Sequence, residues 1–147
     1  MSVLPYQREA QGFAKGLATQ AVWPFAFIVI LYVYMPPVQS LQLDGPAKII
    51  FFGAIAAGCI AVLLSFYLLF DAALFLHMSR YPDEDAGGAA VDALLARMRL
   101  RSMPPRTRTL RERIEGTSRL LPLHRTALGA SIASTASFLF LAGTQGQ

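Results

Sequence analysis

From Ala47 to Ala73 the chain carries one basic residue, Lys48, and one acid, Asp71, in a run otherwise built mainly of Ile, Phe, Leu, Val, Ala and Gly. A helix over that run would be about 40 Å long, more than the ~30 Å thickness of bilayer hydrocarbon. The run therefore predicts a membrane protein, with lipid as the solvent for much of the fold.

Composition points the same way. Of the 147 residues, 54% are hydrophobic and 15% charged, against about 25% charged in an average globular domain. A small soluble domain rarely needs several long uncharged stretches. The single cysteine, Cys59, lies inside the longest apolar run and reads as a small hydrophobe packed against another helix. Arg8 and Lys15 ahead of an apolar run, with Val38-Gln39-Ser40 behind it, faintly resemble a secretory leader. The leader would be unusually long, and the preferred reading is an uncleaved span.

The chain divides into four parts. Residues 1–19 form a short amphipathic or irregular arm, weakened as a helix by Gly12 and Gly16. Residues 20–78 form a transmembrane hairpin. Its first span, Ala21 to Val38, has Trp23 at one end and Tyr32 and Tyr34 near the other, as interfacial aromatic belts require. Pro24 sits in its first turn and Pro36-Pro37 ends it. After a turn over 39–46, the second span runs from Ala47 to Leu69 and its apolar pattern continues to His77. Residues 79–125 form a basic amphipathic loop of two helices. The acidic cluster Asp83-Glu84-Asp85 is followed by Gly87-Gly88, read as a breaker. A helix near 89–102 then places Val91, Leu94, Leu95 and Met98 on one stripe, and Pro104-Pro105 terminates it. The second begins at Thr109, where Thr109 and Glu112 make a capping-box pattern, carries Leu110, Ile114 and Leu121, and stops at Pro122. Residues 126–147 form a third transmembrane helix, Thr126 to Ala142, and a short outer tail. That span is rich in Gly129, Ala130, Ser131, Ala133, Ser134, Thr135 and Ser137, which suits insertion against protein rather than lipid.

Charge sets the topology. Basic residues concentrate at Arg8 and Lys15 and again from Arg80 to Arg125, while the turn between the first two spans has none. The positive-inside rule puts the N-terminus and the 79–125 loop in the cytoplasm and the C-terminus outside, and the expected location is a bacterial inner membrane. The expected fold is an all-α membrane protein with three transmembrane helices and a cytoplasmic two-helix loop between the second and third.

Few residues suggest chemistry. Asp71 shares a helix face with Gly53, Ala57, Ile60, Leu64 and Tyr67. It reads either as an intramembrane acid paired with a neighbouring helix or as an acid at the interface. Small-xxx-small patterns at Gly53/Ala57 and Ala54/Gly58, and again at Gly129, Ala133 and Ser137, predict close helix packing through Gly53, Ala57, Gly58, Gly129 and Ala133. His77 and His124 lack the companions of a metal site, and no catalytic, metal or cofactor motif is present. Arg97, Arg99, Arg101, Arg106, Arg108, Arg111, Arg113 and Arg119 make the strongest signal. Beside two apolar stripes they predict a platform on anionic lipid headgroups or a protein partner. Nucleic acid fits less well because Arg97 to Arg125 contains no aromatic residue for base stacking. A high Arg content also follows from codon bias, and the charges serve topology in any case. The function class expected is a non-catalytic accessory or assembly subunit of a membrane complex, binding other membrane subunits or itself. The alternative is a small oligomeric pore, holin-like or transporting, with Asp71 near the path.

Overall fold

The computed structural model describes residues 5–34, 45–100 and 107–145, with side chains over 5–29, 45–100 and 107–141. Among the described residues the fold is all-helical: α1 (Pro5–Tyr34), α2 (Gly45–Met78), α3 (Glu84–Arg97), α4 (Leu110–Ser118) and α5 (Leu120–Gln145). The expected stops at Pro36-Pro37 and Pro104-Pro105, the turn over 39–44, Arg101 and Arg106 lie outside them.

The central helix is α2. Its buried residues Ala47, Phe51, Ala54, Gly58, Ala61, Ser65, Leu68, Ala72 and Phe75 alternate steps of four and three. That spacing averages 3.5 residues, the repeat of a coiled-coil seam. Both long neighbours run antiparallel to α2. On one side Phe13 meets Phe75 and Phe25 meets Phe66. On the other His124 meets Ser65 and Phe138 meets Phe51. Ala10, Ala14, Leu17 and Ala21 of α1 are buried, so small side chains on both helices bring the backbones close.

The 1–19 arm is not a separate irregular segment: α1 starts at Pro5 and continues without interruption into the first apolar stretch. Gly12 and Gly16 face open space. Their propensity cost is offset by the buried stripe on the opposite side of the same turns. The end of this helix is tied down where α2 stops. The Tyr6 hydroxyl donates to the carbonyls of Tyr81 and Met78, and Gln7 Nε2 donates to the Tyr81 carbonyl at 2.8 Å.

Gly87-Gly88 is not a breaker. The helix begins before it, at Glu84, with Asp83 as N-cap accepting from Ala86 N–H at 2.6 Å. Glu84 and Asp85 then lie in the first turn, where acids complement the helix dipole. Both glycines are buried inside α3. A Cβ on Gly87 would stand 2.7 Å from the Met78 carbonyl oxygen, and one on Gly88 2.5 Å from Thr107 Cγ2. Their function is close approach. The same helix ends at Arg97, well short of Pro104. Arg99 takes φ 56°, with Arg99 N–H to Ala96 O and Leu100 N–H to Leu95 O both at 3.0 Å, a Schellman cap.

The capping box on α4 forms as expected, Thr109 with Glu112. Pro122 does not end this helix. The break falls at Arg119, and Pro122 opens α5 in its first turn, where it sacrifices no helix hydrogen bond. The third long helix therefore begins at Leu120, six residues earlier than Thr126. Its hydroxyls suit apolar surroundings because they bond to their own helix: Thr126 to Pro122 O, Thr135 to Ser131 O and Ser137 to Ala133 O, at 2.8–2.9 Å. Ser131 also reaches Ala54 O across the interface at 3.3 Å.

Candidate functional site

Two zones divide the molecule along its axis. In one, three helices carry no Asp, Glu, Lys or Arg: α1 from Gly16, α2 from Ile49 to Phe70 and α5 from Thr126. Each stretch is about 28 to 33 Å long. Large apolar side chains point outward there, including Trp23 at 73% exposure, Ile49 at 75% and Phe140 at 72%, with Phe52, Leu63, Phe66 and Leu139. Of the described helices, α2 is long and apolar enough to cross a membrane, and only 28% of its most apolar window is buried. A core helix of a soluble protein would be mostly covered.

The other zone is a folded cap. Leu68, Ala72, Phe75 and Met78 of α2, Ala10, Ala14, Leu17 and Ala21 of α1, Val91 of α3 and Leu110 of α4 share one core. Leu95, Ile114, Leu120 and Leu121 pack against it. This corrects the expected surface-lying loop. The stripes on α3 and α4 are turned inward, because the extended ends of α1 and α2 supply the apolar surface they need. Met98 alone of the named stripe residues is exposed, at 48%.

The cap also holds the polar residues. Asp71 is half-buried, and its Oδ2 accepts from the Thr117 hydroxyl at 2.8 Å. The acid thus pairs across to α4 and lies beyond the uncharged stretch of α2. Arg113 belongs to the interior rather than to a docking surface. Its Nη2 donates to Asp92 Oδ1 at 2.8 Å and to Gly88 O at 3.2 Å, with the two side chains 11% and 3% exposed. Asp92 Oδ2 is buried without a hydrogen-bond partner. Glu84 Oε1 accepts the Leu110 N–H at 2.6 Å, joining the first turns of α3 and α4. Sequence spacing could not have paired Asp92 with Arg113, 21 residues away across a connection between helices. Arg97, Arg99, Arg108, Arg111 and Arg119 are exposed on the cap. Arg119 pairs with Glu115 at 2.8 Å.

The packing residues divide. Gly58 lies buried in the α2 seam, as does Ala54 of the same pattern. Gly53 and Gly129 are exposed, with open space where a Cβ would stand, Ala133 is exposed, and Ala57 is half-buried at the seam's edge. The seam runs one residue away from the Gly53–Ala57 face. His124 is buried against Ser65, whose Oγ lies 2.9 Å from His124 Nε2 and donates to Ala61 O. The Ser65 oxygen is thus left to accept from Nε2–H. No cluster of three or more potential metal ligands occurs among the described residues.

The chain matches no protein-family model, no curated protein and no solved structure in comparisons with each.

Proposed function

We propose that this is a three-span inner-membrane protein with a cytoplasmic cap, a non-catalytic accessory or assembly subunit of a membrane complex. The observation that carries the reading is the charge-free zone shared by three antiparallel helices, studded outward with Trp23, Ile49, Phe52, Leu63, Leu139 and Phe140. In water such a surface would associate without limit; in lipid it is solvated. The cap sits at the end with Arg8, Lys15 and the arginines of α3 and α4, which the positive-inside rule assigns to the cytoplasm. Exposed Arg97, Arg99, Arg108, Arg111 and Arg119 suit anionic headgroups or an acidic face of a partner subunit. A pore built around α2 gains no support from Asp71, which turns into the cap and bonds Thr117.

Reporter fusions at Gly88 and after Gln147 test the topology. Gly88 should report cytoplasm and Gln147 the outside; the same compartment for both would overturn the three-span reading. Light scattering of the protein extracted in mild detergent tests the role. A stoichiometric hetero-complex supports a subunit, and a homo-oligomeric ring supports a pore instead.

A further inference from the structure

Between the end of α2, α3 and α4 lies a cavity of about 320 Å³, within the ~300–1,000 Å³ range of small-molecule sites. Its apolar side is made by Leu74, Phe75 and Met78 of α2 and Val91 and Leu95 of α3. Its polar side is made by Asp71, Arg108, Glu112, Arg113 and Thr117, with Gly116 leaving open space. Most of these polar groups are occupied. Arg113 is held by Asp92, Gly88 O and Arg108 O. Glu112 Oε2 accepts the Thr109 N–H as part of the capping box. Apart from these, the lining offers two charges of opposite sign, Asp71 and Arg108. Asp71 has the Thr117 hydroxyl as its hydrogen-bond donor, and the Arg108 guanidinium pairs with no carboxylate among the described residues.

These two charges sit at opposite ends. Asp71 is bound to Thr117 in the last turn of α4, whereas Arg108 precedes its first turn. The helix between them rises about 10 Å from Leu110 to Thr117. An apolar wall runs alongside. We propose that this cavity binds an amphipathic zwitterion, with its ammonium at Asp71, its carboxylate at Arg108 and an apolar body of about 10 Å against Leu74, Phe75, Val91 and Leu95. An ω-amino acid and a short apolar peptide with free ends share this chemistry. An extended tripeptide spans about 10 Å as well. The inference needs only the folded cap and shares just Arg108 with the subunit reading.

The test is calorimetric titration of the full chain in phosphatidylcholine nanodiscs. The probes are 8-aminooctanoate and the tripeptide Leu-Ala-Leu. Octanoate lacks the amine, 8-aminooctanamide lacks the acid and the N-acetylated, C-amidated tripeptide lacks both, and these are the controls. At least one zwitterion should bind, and about tenfold or more tighter than its control, as expected for charged hydrogen bonds. Which of the two binds identifies the source. Asp71→Asn keeps an acceptor for Thr117 but removes the charge, and should erase the preference for a free amine. Arg108→Gln should erase the preference for a free acid. Gly116→Leu, on the open wall, should abolish binding while the thermal midpoint is kept. Absence of binding by both zwitterions to folded protein overturns the proposal. So does equal binding of charged and control ligands, or binding unaffected by the three variants.

Discussion

A single methyl group distinguishes the two kinds of glycine in this chain. At Gly87 a Cβ would meet the Met78 carbonyl oxygen at 2.7 Å, a backbone atom that cannot step aside. Gly87→Ala should therefore destabilise the protein by about 1–3 kcal/mol through overpacking, although alanine is the better helix former. At Gly116 the space is open, and Gly116→Ala should stabilise by about 0.5–1 kcal/mol. Thermal unfolding in mild detergent would show the two midpoints moving in opposite directions; a shared direction would contradict the close approach of α3 to Met78. Arg99 is the converse case, a side chain where φ is 56°. Arg99→Gly should relieve roughly 1 kcal/mol of left-handed strain, seen as a raised midpoint. None of this could be read from the residues themselves. Gly87-Gly88 looks identical whether it breaks a helix or lets a neighbour approach, and only the paths of Met78 and Thr107 decide.

At the scale of elements, the capping box was legible because every group it needs lies within four residues. Thr109→Ala should cost about 1 kcal/mol, and Glu112, the other half of the box, should show a smaller effect when Thr109 is already lost. The Arg113–Asp92 pair was not legible, since its partners come from different helices. Asp92→Ala would strand a buried guanidinium and should cost about 3–5 kcal/mol. A double-mutant cycle with Arg113→Met should recover much of that loss, and additive losses would show that the pair is not coupled. The seam of α2 was also hidden. That helix is apolar all round, so its composition offers several candidate faces, and the Gly53–Ala57 and Ala54–Gly58 patterns differ by one residue. Packing against α1 and α5 selects Ala54, Gly58 and Ala61.

For the whole molecule, the helical class, a membrane-length apolar helix and the clustering of positive charge are legible in the residues alone. These follow from local quantities: runs of uncharged residues, turn and cap residues, and the tally of Arg on each side of a run. The role of the amphipathic segment comes from long-range packing. Val91, Leu95, Leu110 and Ile114 form the same stripes on a headgroup surface or in a protein core. They fold inward here because α1 continues to Pro5 and α2 to Met78, leaving apolar surface beside them. Long-range packing also decides which charges are structural and which face outward. Arg113 and Arg111 are two residues apart in the same basic run, yet one is locked to Asp92 and the other is exposed. Apolar patterning specifies that a surface must be covered, but the covering element is chosen by long-range packing, which local spacing does not encode.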